Sequence, residues 1–600
     1  MTSRSLHVRL RSRKGWYIAS GSVDVDDVTQ VALRELVRAP ALAGGRFVRL
    51  EDGDYLEIDR RIRRTVAALG AVSSVKRGGT ELEIHPAAVA ALRQLVAPDT
   101  GFEVDPAVRA WLERVEQSAG AAAAVPPSLR AELRAYQAEG YRWLARLAEL
   151  GLGACLADDM GLGKTVQVLA LLLARSDDGP ALVVAPTSVC ANWVREMRRF
   201  APDLTPLEYL GPDRAATLGD LAQRGGGAVV ITSYAVLQQD QARLAAVGWS
   251  TVVLDEAQFI KNPESLRAQA AFRLSGRVRI AVTGTPVENH YGDLWSIFHF
   301  LNPGLLGEWR QFKRRFVLPI ERDGSAAPAA ELRELVRPYV LRRLKRDVLS
   351  ELPPVTEVQH TVHLSEADAL RYALLRRQVR DRLFTRHGKL GHKLEVLAEI
   401  TRLRRFCCHP RLVFPDAENE SAKIQALIEL VEELRENQHR ALVFSQYVDF
   451  LSLVREQLDE RGVSYEYLDG STPQAQRQAR VDAFQNGSAS LFLISLKAGG
   501  FGVNLTAADY VIHLDPWWNP AVEAQATDRA HRIGQARRVT VYRLVTKDTI
   551  EQDIVELHEK KHRLARSLLD GTDGTGVTDG TDVGKLDAAD LMRLIGGDVR

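Results

Sequence analysis

The chain has 600 residues, of which 46% are hydrophobic and 26% are charged, and its formal net charge is +2. This length predicts several domains in an ordinary globular protein, and the near-neutral charge means that any basic groove for nucleic acid must be local. Four poorly spaced cysteines exclude a disulfide framework or a zinc site, and without a stretch of about 18 uninterrupted apolar residues we expect no membrane span.

Residues 1–120 mix short strand-like runs with one helical pattern, which predicts a small mixed N-terminal accessory domain of unknown role. A cluster of four arginines between Arg60 and Arg64 fits a solvated helix face better than a DNA contact. An alanine- and proline-bearing stretch from Ala119 to Ser128 then predicts a linker or a helix boundary.

Short apolar runs separated by helical patterns form two series along the rest of the chain. The first series includes ALVVAP, AVVITSY and STVVLDEA, and the second includes RALVFSQY, SLFLISL and YVIHLD. This alternation is typical of βαβ units that bury a parallel sheet. The sequence therefore predicts an α/β fold with two parallel-sheet lobes, over residues 129–300 and 421–569.

Helical, arginine-rich insertions are predicted between the lobes, over residues 301–420. Their arginines fit a solvated helix surface and a phosphate-facing patch equally well. Residues 570–600 begin with a Gly/Thr/Asp-rich run and end with a short apolar pattern, which predicts a flexible linker and a C-terminal helix.

A glycine-rich turn, Met160-Gly161-Leu162-Gly163-Lys164-Thr165, lies between a strand-like run and a helical pattern. Such a turn aims backbone N–H groups and the positive end of a helix at phosphates. We expect Lys164 to reach the β- and γ-phosphates of ATP and Thr165 to ligate Mg²⁺. The motif alone is incomplete, because Asp158 replaces its usual first glycine.

Two further motifs complete a site for ATP hydrolysis. Asp255 and Glu256 follow an apolar strand, where Asp255 is expected to hold Mg²⁺ and Glu256 to orient and deprotonate the attacking water. In the second lobe, Arg529 and Arg532 are three residues apart, so on a helix they would project from one face and clamp a γ-phosphate.

The ordered set of motifs resembles the Swi/Snf-related ATPases of helicase superfamily two, over roughly residues 129–560. The resemblance is carried by LRAYQAEGYRWL, DDMGLGKT, DEAQFIKNP, TGTPVENHYGDLWSIFHFLNP, RPYVLRRLKRDVLSELPP and LKAGGFGVNLTAADYVIHLDPWWNPAVEAQATDRAHRIGQ. It implies that both lobes are RecA-like. It also accounts for Asp158, since an acidic residue is common there in this family.

The resemblance implies roles around the nucleotide. Gln137 matches the glutamine that reads adenine, and Gln258 replaces the more usual histidine with a side chain that cannot titrate. The implied ATP-binding residues are Gln137, Asp159, Met160, Gly161, Leu162, Gly163, Lys164, Thr165, Gly502, Arg529 and Arg532. The implied catalytic residues are Glu256, Lys164, Arg529 and Arg532, the metal ligands are Thr165 and Asp255, and the coupling residues are Gln258, Thr283, Thr285 and Asp528.

The resemblance also implies double-stranded DNA held across both lobes through its phosphates. Small hydroxyls and glycine N–H groups suit such a grip, because they hold phosphates without reading bases. The implied contacts are Pro186, Thr187, Asn192, Thr232, Ser233 and Tyr234 in the first lobe, and Ser445, Gln446, Ser495, Lys497, Gly499, Gly500 and Asn504 in the second.

The implied function is a DNA-dependent ATPase that couples hydrolysis to translocation along double-stranded DNA and to remodelling of protein–DNA complexes. One alternative is a strand-separating helicase, against which stand the insertions and the DPWWNP and RAHRIGQ segments. Another is a non-catalytic DNA-binding scaffold, against which stand the intact catalytic residues. Without a recognisable histone-reading module, the sequence favours a compact cytoplasmic motor, nucleoid-associated in a prokaryote, with a DNA-bound protein or RNA polymerase as a further partner.

Overall fold

The computed structural model describes a mixed N-terminal sheet and two parallel sheets, one in each lobe. The described residues are 5–13, 16–24, 30–38, 47–49, 55–59, 62–63, 65–66, 69–70, 73–74, 81–88, 102–120, 123–221, 226–284, 291–323, 326–349, 351–385, 393–417, 421–487, 489–496, 505–517 and 520–556. The predicted linker and C-terminal helix over residues 570–600 lie outside them.

The N-terminal sheet has the strand order β6-β7-β2-β1-β8, with β3 paired to β2, while β4 and β5 form a separate pair. It is mixed, because β1 pairs antiparallel with β2 and parallel with β8. The strands are β1 (Ser5–Arg13), β2 (Trp16–Asp24), β3 (Gln30–Ala32), β4 (Phe47–Arg49), β5 (Tyr55–Glu57), β6 (Ser73–Ser74), β7 (Leu82–Ile84) and β8 (Phe102–Val104). The helices are α1 (Leu33–Arg38) and α2 (Pro106–Gly120).

The first lobe is built on a parallel sheet of order β11-β12-β10-β13-β14-β9-β15. The strands are β9 (Ala154–Leu156), β10 (Ala181–Ala185), β11 (Thr205–Glu208), β12 (Ala228–Ser233), β13 (Trp249–Asp255), β14 (Gly276–Val282) and β15 (Val340–Leu341). The helices are α3 (Ala135–Glu149), α4 (Lys164–Ala174), α5 (Thr187–Phe200), α6 (Ala215–Leu221), α7 (Tyr234–Gln239), α8 (Gln241–Ala245), α9 (Leu266–Phe272), α10 (Tyr291–Leu301), α11 (Trp309–Phe312), α12 (Leu318–Asp323), α13 (Ala326–Val336) and α14 (Lys345–Val348).

Strand β10 of this lobe is apolar at every position because helices cover both faces of the sheet. In β10, Val183 and Ala185 enter one core cluster, while Leu182 and Val184 enter the cluster on the opposite face. Successive side chains of a strand point to opposite faces, so a run without polar residues buries both.

The second lobe repeats this design with a parallel sheet of order β16-β21-β20-β17-β19-β18. The strands are β16 (Val355–Val362), β17 (Ala441–Ser445), β18 (Tyr465–Leu468), β19 (Leu491–Ser495), β20 (Tyr510–His513) and β21 (Val539–Thr546). The helices are α15 (Glu366–Thr385), α16 (Lys393–Cys408), α17 (Ala422–Glu436), α18 (Val448–Glu460), α19 (Gln474–Asn486) and α20 (Pro520–Thr527). The predicted α/β fold, with two RecA-like lobes and a small mixed N-terminal domain, is confirmed.

The segment predicted to hold only helical insertions also supplies one strand to each lobe. β15 extends the first sheet beside β9, and β16 extends the second beside β21. β15 is only two residues long and lies in an arginine-rich stretch, so its sequence shows no strand pattern.

The N-terminal domain and the first lobe bury one continuous apolar core. Leu10 and Trp111 belong to the same cluster of buried side chains as Leu144 and Phe298. The hydroxyl of Tyr339 also donates to the carbonyl of Ala87. The N-terminal domain is therefore packed into the first lobe rather than tethered to it. Within the described part of the chain, every helix is too short or too polar to cross a membrane.

Candidate active site

The glycine-rich turn joins β9 to α4 at the carboxyl edge of the first sheet. Gly161 and Gly163 have φ angles of 84° and 73°, a left-handed conformation that favours glycine. Lys164 begins α4 and donates from Nζ to the carbonyls of Asp158 at 2.7 Å and Asp159 at 3.1 Å. Burial lowers the pKa of Lys164, and nearby carboxylates, Glu256 first, oppose that shift. The ammonium group therefore lies inside the turn, where phosphates would compete for it.

Asp158 completes the turn through a buried ion pair. Its carboxylate is fully buried and accepts from Nε of Arg343 at 2.9 Å and from Nη2 of the same guanidinium. Arg343 also donates to the carbonyl of Tyr136 and, at 2.9 Å, to Oε1 of Gln167 on α4. The acid that replaces the usual glycine thus ties the turn to the segment after β15.

Gln137 lies against the same turn. Its Oε1 accepts from the backbone N–H of Arg134 at 3.0 Å, and its Nε2 donates to the carbonyl of Leu162 at 3.1 Å. The hydroxyl of Tyr136 donates to the same carbonyl at 3.0 Å. Helix α3 is therefore held against the turn by two side chains, one of which is the predicted adenine reader.

The two adjacent carboxylates end β13 beside Lys164. Oδ2 of Asp255 accepts from the indole N–H of Trp193 at 2.8 Å, and its Oδ1 accepts from the backbone N–H of Glu256 at 2.9 Å. Glu256 has a φ of 50°, an uncommon left-handed conformation for a residue with a Cβ atom. Burial, followed by the charge of Asp255, raises the pKa of Glu256 to about 7, which suits a general base at neutral pH.

Gln258 links Glu256 to the end of β14. Its Nε2 donates to Oε2 of Glu256 at 2.8 Å, and its Oε1 accepts from the hydroxyl of Thr283 at 2.9 Å. The chain of bonds fits the predicted coupling roles of Gln258 and Thr283. Thr285 lies outside the described residues.

The second lobe places its arginine pair against this site. A Cβ atom added to Gly161 would stand 2.8 Å from the Cβ atom of Arg532. Burial lowers the pKa of Arg529 to about 10, and the charge of Glu256 opposes that shift. Helix α20 ends at Thr527, so both arginines lie in the turns after it rather than on the predicted helix. These turns still direct both arginines toward the first lobe.

Two residues that we did not assign from sequence also bridge the lobes at this point. Gln525 donates from Nε2 to Oε1 of Glu256 at 3.4 Å. Lys345 donates from its backbone N–H to Oδ2 of Asp159 at 3.0 Å and from Nζ to Asp528 and to the carbonyl of His531. Arg343 and Lys345 thus form buried ion pairs, so this part of the arginine-rich segment is not a solvated surface.

The donor set around Asp255 suits a cation that is shared with bound phosphates. Each carboxylate oxygen of Asp255 accepts one hydrogen bond and keeps a lone pair, and Thr165 adds a hydroxyl at the start of α4. Carboxylate, hydroxyl and phosphate oxygens are the ligands that Mg²⁺ prefers. Among the described residues, no three His, Cys, Asp or Glu side chains converge on a separate metal site.

The predicted DNA contacts of the first lobe divide into exposed and buried residues. Thr187 is exposed at the start of α5, directly after Pro186, and Asn192 is partly exposed further along. Thr232, Ser233 and Tyr234 are buried; Thr232 donates to the carbonyl of Tyr209 at 2.9 Å, Ser233 accepts from the N–H of Val236 at 3.3 Å, and Tyr234 donates to the carbonyl of Asp255 at 2.8 Å. All three side chains make hydrogen bonds within the lobe, and their contacts with DNA phosphates stay predictions.

In the second lobe, three of the predicted DNA contacts lie where β17 and β19 end, since Ser445 pairs with Ser495. Ser445 donates to Oδ1 of Asp515 at 2.5 Å, which occupies its hydroxyl. Ser495 Oγ and Gln446 Nε2 are buried and have no hydrogen-bond partner among the described residues. The other predicted residues lie outside the described ranges: Lys497, Gly499, Gly500, Gly502 and Asn504.

Comparison with known proteins matches both lobes. The family model described as SNF2-related domain matches residues 136–412, and the helicase conserved C-terminal domain matches residues 422–534. A putative ATP-dependent helicase/translocase of Bacillus subtilis, YwqA, is 42% identical over 457 residues, covering 74% of this chain and 50% of the relative. The ISWI chromatin-remodeling complex ATPase CHR11 of Arabidopsis thaliana is 36% identical over 457 residues, covering 73% of this chain and 43% of the relative.

A solved structure, the Sulfolobus solfataricus SWI2/SNF2 ATPase core in complex with dsDNA, is 36% identical to the chain. The match covers 75% of this chain and 95% of that chain, with a TM-score of 0.39. The chain spans about half or less of the length of the curated relatives named above.

Proposed function

The chain belongs to the SNF2-related family of ATPases in helicase superfamily two, and from this premise we propose that it is a DNA-dependent ATPase that translocates along double-stranded DNA. One observation carries the proposal. Gly161 and Glu256 on the first lobe lie against Arg532 and Arg529 on the second, and Gln525 of the second lobe donates to Glu256 at 3.4 Å. A nucleotide bound by Lys164 would therefore meet catalytic groups from both lobes.

In the proposed reaction, the backbone N–H groups of the turn and Lys164 bind the phosphates of ATP. Glu256 accepts a proton from the attacking water, and its raised pKa makes it a stronger base than an exposed glutamate. Arg529 and Arg532 stabilise the charge that develops on the transferred phosphoryl group. Asp255 and Thr165 would hold Mg²⁺, which supplies charge neutralisation at the phosphates when it is bound.

The proposed cycle uses the contacts between the lobes. Gln525 with Glu256, Lys345 with Asp528, and Arg195 with Gln478, at 3.2 Å, all join the two halves. ATP adds a further bridge through the arginine pair, so nucleotide binding favours closure and phosphate release favours opening. If each lobe holds one phosphate register of the DNA, alternating closure advances the duplex.

The proposed DNA track runs over the exposed start of α5 and the carboxyl edge of the second sheet. Thr187 and Asn192 are accessible on the first lobe. Ser495 and Gln446 each offer a hydrogen-bonding atom without a partner among the described residues of the second. DNA phosphates would accept from such groups whatever the base sequence, which suits movement along a duplex. Remodelling of protein–DNA complexes, with a DNA-bound protein or RNA polymerase as the obstacle, is the activity that we propose for this movement.

Phosphate release with and without blunt duplex DNA tests the ATPase proposal. We expect strong stimulation by duplex DNA and weaker stimulation by single-stranded DNA or RNA. A triplex-displacement assay beside a strand-displacement assay then separates the two modes of action. Removal of a third strand without unwinding supports translocation, whereas efficient unwinding indicates a strand-separating helicase. No hydrolysis under any condition would leave only a DNA-binding scaffold.

A further inference from the structure

Two aromatic side chains donate hydrogen bonds to Asp255. They belong to the two segments of the first lobe that are predicted to contact DNA, α5 and the β12–α7 junction. The indole N–H of Trp193 donates to carboxylate Oδ2 at 2.8 Å. The hydroxyl of Tyr234 donates to the main-chain carbonyl of the same residue at 2.8 Å. Hydrogen bonds therefore fix both the side chain and the backbone of Asp255, the residue proposed to hold Mg²⁺.

Trp193 connects Asp255 to helix α5. The helix begins at the exposed Thr187, and the partly exposed Asn192 directly precedes Trp193. The indole itself is 1% exposed and is packed in the core of the lobe. A close-packed helix moves as a unit, so a shift of its exposed start is passed to the indole N–H.

Tyr234 connects Asp255 to the end of β12 in a similar way. It is the first residue of α7, and Ser233 before it caps that helix by accepting from the N–H of Val236. Its ring stacks on Phe259 with centroids 5.2 Å apart and an interplanar angle of 10°. Tyr234 therefore contacts the chain before Glu256, at Asp255, and after it, at Phe259.

We propose that Trp193 and Tyr234 are positioning residues for the carboxylate of Asp255, and that Trp193 transmits DNA binding on α5 to it. The inference rests on the proposed function, because it assumes that duplex DNA contacts α5. A carboxylate ligates a cation well only when its partners fix its orientation. Contact of α5 with a phosphate would therefore improve the metal-holding geometry of Asp255, which gives DNA stimulation a physical route.

The test compares Trp193→Phe with Trp249→Phe. Trp249 is also 1% exposed and donates its indole N–H at 2.8 Å, but to the carbonyl of Leu244 at the opposite end of β13. Both variants lose one buried indole and one hydrogen bond in the same lobe. Only Trp193→Phe releases Asp255.

Two quantities are measured on the full chain: the affinity for Mn²⁺ with ADP present, by electron paramagnetic resonance, and the stimulation of phosphate release by duplex DNA. We expect Trp193→Phe to weaken Mn²⁺ binding by about tenfold or more and to lose most of the stimulation. Trp249→Phe is expected to keep both. If duplex DNA stimulates the wild-type chain but the two variants have equal Mn²⁺ affinity and equal stimulation, the inference is refuted and the proposed function is not. A wild-type chain that duplex DNA does not stimulate would refute the proposed function instead.

Tyr234→Phe supplies a second variant that changes little volume. Its matched control is Tyr141→Phe, since the Tyr141 hydroxyl is buried and donates to the carbonyl of Ala124 at 2.9 Å. We expect Tyr234→Phe to lower Mn²⁺ affinity by about threefold, the size of one net hydrogen bond, and Tyr141→Phe to leave it unchanged. An unchanged Mn²⁺ affinity in Tyr234→Phe would show that Tyr234 does not position Asp255. An unchanged Mn²⁺ affinity in both Tyr234→Phe and Trp193→Phe would refute the whole proposal.

Discussion

Arg532 of the second lobe packs directly over Gly161 of the first: a Cβ atom on Gly161 would stand 2.8 Å from the Cβ atom of Arg532. The residues are far apart in sequence and lie in turns of different lobes. Their approach leaves no room for a side chain at Gly161 while the lobes are together. The nucleotide turn and the arginine pair are therefore two halves of one surface.

We predict that Gly161→Ala lowers DNA-stimulated hydrolysis far more than Gly151→Ala does. Both glycines have positive φ angles, 84° and 68°, so both variants carry backbone strain of about 1 kcal/mol. A Cβ atom at Gly151 meets no atom within 4 Å, whereas one at Gly161 meets the second lobe. We expect a loss of about tenfold or more at Gly161, because overpacking costs about 1–3 kcal/mol. Equal activities in steady-state assays would contradict closure of the lobes at this point.

The pH dependence of hydrolysis should follow Glu256. Burial and the charge of Asp255 raise its pKa to about 7. A protonated carboxyl cannot accept a proton from water, so kcat/KM should rise with pH through this region. Gln258→Leu removes a hydrogen bond that lowers the pKa of Glu256, so the rise should move to higher pH. A kcat/KM profile that is flat from acid to alkaline pH would count against Glu256 as the base.

Asp158→Gly should destabilise the protein even though it restores the glycine usual in such turns. Asp158 is fully buried and paired with Arg343. Removing one partner of a buried ion pair leaves the other charge uncompensated, which costs about 3–5 kcal/mol. The exposed pair of Arg134 with Glu351 provides the control, since Glu351→Ala should cost less than about 1 kcal/mol. Denaturant unfolding measures the change in the free energy of unfolding for both variants. Similar changes would show that the buried Asp158 pair stabilises the protein no more than the exposed pair does.

Removal of residues 1–120 should impair folding of the first lobe rather than simply release an accessory domain. Leu10, Trp111 and Phe298 belong to one buried cluster, so truncation exposes apolar surface on the lobe. We expect a lower melting temperature and aggregation of the truncated chain. A truncated chain that is monomeric and melts at the temperature of the full chain would show that the shared core is dispensable.

The sequence patterns predicted what depends on local residue order. Runs such as ALVVA fill β10, and the glycine-rich turn lies before α4 as expected, because strand and turn preferences are local. Asp255 and Glu256 were identified by their position after an apolar strand, and the structure places them beside Lys164. Gln258 and Thr283 are also joined by a hydrogen bond, and their coupling roles stay predictions.

The partners of Arg343, Lys345 and Trp193 could not be predicted in the same way. Arg343 and Asp158 are separated by 185 positions, and Lys345 and Asp528 by 183. Only the folded chain brings such residues together, and an arginine-rich stretch looks the same whether it is solvated or buried. Tyr234 shows the converse, because its position in a motif suggested a phosphate contact while its hydroxyl is bound internally.

The most direct test of a shared active site is hydrolysis by Arg532→Ala, with Arg537→Ala as the control. Arg537 lies on the same lobe, but its side chain is 64% exposed and pairs with Asp509. We predict that Arg532→Ala lowers the DNA-stimulated kcat by about 100- to 1,000-fold with little change in duplex affinity, while Arg537→Ala remains active. Full stimulated turnover by Arg532→Ala would contradict an active site shared by the two lobes.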